Sequence, residues 1–352
     1  MNNIIIPTGY MGSGSSAVTD LLREVKGYRN NNGSFEYVFM HCPNGVLDLE
    51  YKLLYGNNAL RSDEALYMFR KMMNTLFLNK NYWFADYKNK ISSRFMEYVD
   101  NYVDDLTDSV LPDSYWYIHE MPSNKMLFYK VINKIISVLT LNRINIKNQK
   151  NYTGMRVSFP SEEKFYASTM KFLNMVFLDL GIGKSNIVLD QFLLPHNLFK
   201  LNCYFDSNCK VVVVDRDPRD VFLLNKYYWH TLGVSVPYPL DVKDFCKHYS
   251  KMRQKEIIIP NENILRIHFE DLIYNYKSTK KNVFEFLSIK ESDHLHPMRY
   301  LNPEKSIKNT QTFSRNIDFK EEAEFIENEL VEYIYQFPYI EEDSIRVQDI
   351  IM

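Results

Sequence analysis

Apolar positions along the chain alternate between short continuous runs and longer stretches of helical period. Ile4-Ile5-Ile6 is too short a run for a helix and reads as a buried strand. A turn rich in glycine and serine follows it, and then an amphipathic helix over residues 17–25. Residues 35–39, Phe-Glu-Tyr-Val-Phe, read as a second strand. From about residue 62 to residue 107 the apolar positions recur at helical spacing. A further helix begins at Ser161-Glu-Glu-Lys, an N-terminal signal, and stops before Gly181. Ile187-Val188-Leu189 is a buried strand that ends at Asp190. Residues 210–214, which include four consecutive valines, give the strongest strand signal in the chain. That strand runs into Asp217-Pro218-Arg219-Asp220, a good helix start with Asp as cap, Pro at the first helical position and Asp in the first turn. Residues 264–267 are another strand, and a helix follows over residues 277–287.

Buried strands alternating with helices predict an α/β fold: a mainly parallel sheet flanked by helices on both faces, a three-layer sandwich like that of P-loop NTPases. Ligands in such folds bind beyond the carboxyl ends of the strands. No internal repeat or linker rich in Pro, Gly or Ser divides the 352 residues, so a single domain over residues 1–352 is expected, with a largely helical insertion at 45–180.

Composition narrows the function classes. There are 42 basic and 44 acidic residues and a formal net charge of −2, which argues against a general affinity for nucleic acid while leaving room for a local basic pocket. The 26 Tyr and 23 Phe fill the core for the most part, and some could line a sugar-binding cleft. Cys42, Cys203, Cys209 and Cys246 form no C-x-x-C pair, so neither a zinc pattern nor a disulfide framework is expected. The N-terminus lacks the basic region and long apolar stretch of a signal peptide, and no apolar run is long enough to span a membrane. A soluble, cytoplasmic protein is the expectation.

The first candidate for chemistry is Gly9-Tyr10-Met11-Gly12-Ser13-Gly14-Ser15-Ser16, between strand and helix. Its glycines let the backbone turn sharply and approach a ligand, the helix start offers free N–H groups, and the hydroxyls of Ser13, Ser15 and Ser16 add donors. A phosphate suits such a loop; the alternative is a tight turn with no ligand. The loop resembles the Walker A pattern, but Ser15 stands where that pattern has lysine.

Three stretches together resemble the sulfotransferase superfamily. Gly12-Ser13-Gly14-Ser15-Ser16 is similar to the family's loop for the 5′-phosphosulfate of PAPS (3′-phosphoadenosine 5′-phosphosulfate). Val211-Val-Val-Val-Asp-Arg-Asp-Pro-Arg-Asp220 is similar to the family's strand ending in R-[ND]-P-[RK]-D. Ile264-Leu-Arg-Ile-His-Phe-Glu-Asp-Leu272, with the helix after it, resembles the family's C-terminal strand, acidic pair and helix. The resemblance implies PAPS as donor, no required metal, and a hydroxyl or amine acceptor on a small molecule or glycan, with acceptor-binding elements within residues 45–180.

The resemblance also implies roles. Arg216 matches the arginine that holds the 3′-phosphate, a task for a bidentate guanidinium; otherwise Arg216 would pair with Asp217 or Asp220. The family's loop lysine or arginine is replaced by Gly12, and a 3′-phosphate serine is replaced by Leu224, with Asn225 next to supply a donor. Lys308, or Lys305, could provide the missing cation from a segment like the family's C-terminal loop. Glu36 is the candidate general base, with His41 as alternative and Asp190 as an acceptor contact. Three rivals remain at this level. A P-loop kinase or NTPase would use residues 9–16 with Asp215. A glycosyltransferase would hold a metal and a sugar nucleotide on the Asp215-Arg216-Asp217 D-x-D. A non-catalytic nucleotide-binding module would only bind.

Overall fold

The strand signals resolve into two sheets in the computed structural model, which describes residues 3–30, 35–112, 124–140, 154–206, 208–234, 237–314 and 319–339. In chain order the strands are β1 (Ile4–Gly9), β2 (Tyr28–Arg29), β3 (Ser109–Leu111), β4 (Met155–Val157), β5 (Asn186–Val188), β6 (Cys209–Asp215) and β7 (Ile264–His268). The main sheet has five strands in the order β2-β5-β1-β6-β7. Every pairing in it is parallel, and β1 runs the length of β6 from Ile4 against Cys209 to Gly9 against Val214. β3 and β4 form a separate antiparallel pair. The expected α/β class and its parallel sheet are therefore present.

Side-chain alternation on the central strands explains how both faces are covered. Ile4 and Ile6 of β1 and Val211 and Val213 of β6 enter one apolar cluster. Ile5, Val212 and Val214 enter the other. That second face is closed by α1 (Ser16–Arg23), through Val18, Leu21 and Leu22, together with Val283, Phe284 and Leu287 near the C-terminus. Each valine buried this way contributes roughly 1.5–3 kcal/mol relative to exposure. This is why a run apolar on both sides is stable only as a central strand.

The first face carries α2 (Val46–Leu54), α3 (Ala59–Leu78), α4 (Tyr87–Lys90), α5 (Phe95–Leu106) and α7 (Glu162–Leu180), while α6 (Asn124–Leu139) adds none of its described residues to this core. α7 starts and stops where the sequence predicts. The Ser161 side chain accepts from the Lys164 N–H, and Gly181 ends the helix in the left-handed region, φ 101°. Glu50 of α2 is fully buried and accepts hydrogen bonds from Tyr166 Oη at 2.6 Å and from Tyr204 Oη and Lys200 Nζ at 2.5 Å. A carboxylate buried among three donors ties α2 to α7 and to the chain beyond β5.

The remaining helices are α8 (Leu201–Tyr204), α9 (Pro218–Leu223), α10 (Val242–Gln254), α11 (Asp271–Tyr274), α12 (Tyr276–Leu287), α13 (Pro303–Ser306) and α14 (Lys320–Glu329). α9, α10 and α14 share a third apolar cluster around Phe222, Phe245 and Ile326. α9 begins as its sequence dictates, with Asp217 accepting from the Arg219 N–H and Pro218 in the first turn. It continues into a π-helical turn, Leu224–Trp229. No helix among the described residues is long and apolar enough to cross a membrane.

One expected element is absent. Residues 35–39 are not a strand; the edge next to β5 is taken by Tyr28–Arg29. The segment runs past the end of β5, and its amides find other partners. Tyr37 N–H donates to the Asp190 carbonyl at 3.0 Å and Val38 N–H to Tyr87 Oη at 3.2 Å. Phe35, Tyr37, Val38, Phe39 and Met40 are all buried, so the apolar run reflects burial on every side rather than strand pairing.

Phe39 anchors this segment. Its ring lies 5.0–5.9 Å, centroid to centroid, from those of Tyr87, Phe95, Phe172 and Phe192. Phe39→Ala should therefore lower stability by about 3–5 kcal/mol in urea or guanidinium denaturation. A loss under about 1 kcal/mol would show that the aromatic cluster closes over the gap and does not hold the segment.

Candidate active site

The carboxyl ends of β1, β5, β6 and β7 surround one cavity of about 630 Å³. The loop after β1 forms its floor. A turn closes with Ser13 N–H on the Tyr10 carbonyl at 2.9 Å, and Gly12 and Gly14 both take left-handed φ, 82° and 85°. At Gly14 a Cβ would also come within 2.7 Å of the Phe269 ring, so conformation and space both exclude a side chain. α1 starts directly after Ser15, and the first N–H groups of any helix lack intrahelical acceptors. Gly12, Gly14, Ser15 and Ser16 line the cavity; Ser13 does not, and its buried Oγ lies against Gly9 without a partner.

Arg216, at the end of β6, supplies the cationic wall. It is 7% exposed, and its Nη1 donates to the Gly12 carbonyl at 3.0 Å while Nη2 donates to the Asn309 carbonyl. Its Nε is buried and has no partner. The expected alternative, a pairing with Asp217 or Asp220 by hydrogen bond, does not occur. Asp217 is bound by Arg219, at 2.8–2.9 Å, and Asp220 accepts from the Gln311 and Thr312 amides and from Thr312 Oγ1. Burial pushes the Asp220 carboxyl above its ordinary value, against the pull of Arg216. Glu270, also buried, is raised to about 8 by desolvation, partly offset by its bond from the Asp217 N–H and by Arg216. Lys308 lines the cavity beside Asn309 and Thr312, whereas Lys305 is exposed and does not.

Two carboxylates line the opposite side. Glu36 is raised by burial, and Trp83 donates a hydrogen bond to it. Asp190, after β5, is 8% exposed and is raised to about 7, chiefly by burial and further by the charges of Glu36 and Asp20. Thr19 Oγ1 donates to Asp190 Oδ2 at 3.0 Å, and Oδ1 has no partner. The cavity is also lined by Tyr227, Tyr228 and Trp229 from the π-helical turn and by Phe269 and Phe319; Phe269 lies by Arg216 and Gly14, and Trp229 by Gly12.

Three predicted site residues are not brought to the cavity wall: Ser13, His41 and Asn225. His41 Nε2 donates to the Gln191 carbonyl at 2.9 Å, and burial lowers its pKa to about 4. Asn225 is fully buried with Nδ2 on the Tyr238 carbonyl at 3.2 Å. Sequence reasoning missed Gln191, whose Nε2 donates to Ser15 Oγ at 2.9 Å, and the aromatic wall. Gln191 was accessible as the residue after a strand end. The run Tyr227-Tyr228-Trp229 carried no signal that separates wall from core.

The D-x-D acids are held by arginines. Arg253 Nη1 contacts Asp215 at 2.6 Å, Arg219 grips Asp217, and neither acid lines the cavity. The same pairing occupies the Walker B position. Among the described residues no group of three or more His, Cys, Asp or Glu is arranged to hold a metal. The cysteines are free.

Fold and site together define an α/β protein with a glycine-serine loop that opens a helix, a buried guanidinium and an acidic wall on one cavity. No family model matches the chain, and no curated protein matches it. Among solved structures it is similar to a sulfotransferase domain from the curacin biosynthetic pathway, at 12% identity and TM-score 0.43, covering 96% of this chain and 99% of that one. It is also similar to a sulfotransferase from Mycobacterium avium, at 10% identity and TM-score 0.38, covering 97% and 78%. A third is the sulfotransferase domain of a Synechococcus olefin synthase, at 13% identity and TM-score 0.37, covering 96% and 98%. Likeness at this level carries no inference about chemistry, which rests on the side chains.

Asp190 makes a pH signature. Its folded pKa, about 7, lies above the ordinary 3.8, so the folded protein holds a proton there that the unfolded chain releases. Its contribution to stability therefore falls as pH rises from about 4 to 7. Asp190→Asn should raise Tm above wild type at pH 8, with the difference closing toward pH 4. A pH-independent difference would show that Asp190 is not desolvated.

Proposed function

We propose that this chain transfers a sulfonate from PAPS to a hydroxyl or amine of a small-molecule or glycan acceptor. One observation carries the reading: Arg216, nearly buried on the cavity wall with an unmatched Nε, stands beside a glycine loop that opens a helix. These are two anion-binding devices on one cavity. PAPS has two anionic ends joined by an adenosine, and the aromatic wall suits the base.

In this reading Gly12, Gly14, Ser15 and Ser16 hold the phosphosulfate end, and Arg216 holds the 3′-phosphate. Lys308 stands in for the loop cation that Gly12 lacks, and neutralises charge on the leaving phosphate. When bound, PAPS supplies the activated sulfonate. Glu36 takes the acceptor's proton; its half-buried carboxyl, raised by desolvation, is a better base than a solvated one. Trp83 orients it. His41 acts through Gln191 as a positioning residue, and Asn225 supports the π-helical turn. Ser13 braces the turn against Gly9. The helical region 45–180 supplies Trp83 and is the proposed acceptor side. Free, partly buried cysteines accord with a reducing compartment, and we propose the cytoplasm.

PAP, the desulfonated product, should raise Tm more than AMP or ATP, and Arg216→Ala should remove that preference. Equal stabilisation by AMP and PAP would overturn the donor assignment. Glu36→Gln should lower kcat by ~10²–10⁴-fold with PAP affinity nearly unchanged. Full turnover in Glu36→Gln with loss in His41→Ala would transfer the base to His41.

A further inference from the structure

Glu36 and Asp190 line one side of the cavity without a cation between them. Among the described residues neither is hydrogen-bonded to a Lys or Arg: the partner of Glu36 is Trp83, that of Asp190 is Thr19, and both are neutral. The nearby Asp20 adds negative charge, although Arg23 pairs with it at 3.0 Å. Their proximity is built into the backbone, because the Tyr37 N–H, next to Glu36, donates to the Asp190 carbonyl. Asp190 is more than nine-tenths buried, and its Oδ1 has no partner. Burying two carboxylates side by side is costly unless a proton or a bound cation offsets the charge.

We infer that the acidic pair Glu36–Asp190 is the binding site for an ammonium group of the acceptor, so that the preferred substrate is an amine. This rests on the sulfotransfer reading for its chemistry, but the ammonium site itself does not. Proton balance supports the pairing of two acids. An alcohol acceptor gives R–O–SO₃⁻ and PAP with release of one proton. An ammonium acceptor gives R–NH–SO₃⁻ and PAP with release of two: one before the nitrogen lone pair is free, one as the N–S bond forms and the S–O bond to the phosphate breaks. A single carboxylate serves the first case; the second calls for two acceptors, and this wall holds two. In this sequence Asp190 receives the first proton and Glu36 the second, and both pass to solvent after product leaves.

The test compares benzylamine with benzyl alcohol, which differ in the charged group, by calorimetry on the free protein and on its PAP complex. Benzylamine should bind at least about tenfold more tightly than the alcohol. Asp190→Asn should abolish that difference, and Glu36→Gln, at a less buried position, should reduce it; circular dichroism checks that both fold. Equal binding of the two probes to wild type would overturn the ammonium site, and so would discrimination that survives in folded Asp190→Asn or is undiminished in folded Glu36→Gln. Discrimination that depends on both acids, in a protein that ignores PAP, would sustain the ammonium site and sink the donor assignment instead.

Discussion

The Arg216 guanidinium joins the parts of this protein that must come together. A charge taken out of water is costly unless partners meet it, and Arg216 has partners for both terminal nitrogens, with Nε left over. Here the partners are the carbonyl of Gly12 in the loop after β1 and the carbonyl of Asn309 in the C-terminal segment. The neighbouring charges of the same peptide follow suit. Asp215 reaches Arg253 of α10, Asp217 meets Arg219 and the Tyr335 N–H, and Asp220 gathers Gln311 and Thr312. One stretch of alternating charge at the end of β6 thus fixes loop, helix and C-terminal strap. A cationic wall made this way needs no reorganisation when an anion arrives.

The strap has a second anchor on the other face of the sheet. Glu24, buried after α1, accepts from His294 Nε2 at 2.7 Å and from the amides of Met298, Tyr300 and Leu301 at 2.8–3.1 Å. The chain leaving this clamp reaches Lys308 and Asn309 within a few residues. Lys308 is thereby placed at the cavity by backbone bonds on either side of it, Glu24 before and Asp220 after.

Much of this was legible because it depends on local rules. Four valines in a row can be satisfied only in a central parallel strand, and Asp-Pro-Arg-Asp after them can only open a helix. Gly12 and Gly14 were readable as left-handed turn positions. Arg216 followed from strand-end placement. Residues 35–39 failed because an apolar segment buried on all sides carries the same letters as a strand; what distinguishes it is the Tyr87 hydroxyl and the Asp190 carbonyl that take its amides, both far away in sequence. His41 and Asn225 were misleading for a similar reason. Their polar atoms are spent on the carbonyls of Gln191 and Tyr238, contacts that only the fold creates. The aromatic wall was hidden because three consecutive rings carry no periodicity that separates wall from core, and the π-helical turn that holds Tyr227, Tyr228 and Trp229 at the cavity has no local signature.

The order of strands also resolves a conflict between the two ends of the cavity. A guanidinium beside a carboxylate lowers its pKa and so weakens it as a base. A protein that needs both in one cavity must hold them apart, yet near enough to act on one bound molecule. In this sheet Arg216 leaves the end of β6 and Asp190 the end of β5, with β1 between them. Adjacent strands are spaced about 4.8 Å apart, so β5 and β6 lie roughly 10 Å apart across the sheet, and the register, which aligns Val188 with Ile5 and Lys210, puts Arg216 further along its strand than Asp190 along its own. Arg216 pulls down Asp220 and Glu270, close to its own strand, but it is not among the main influences on Asp190 and Glu36, where burial dominates and the charge of Glu36 raises Asp190 further. The central strand therefore carries the glycine loop and separates the buried guanidinium from the acidic wall.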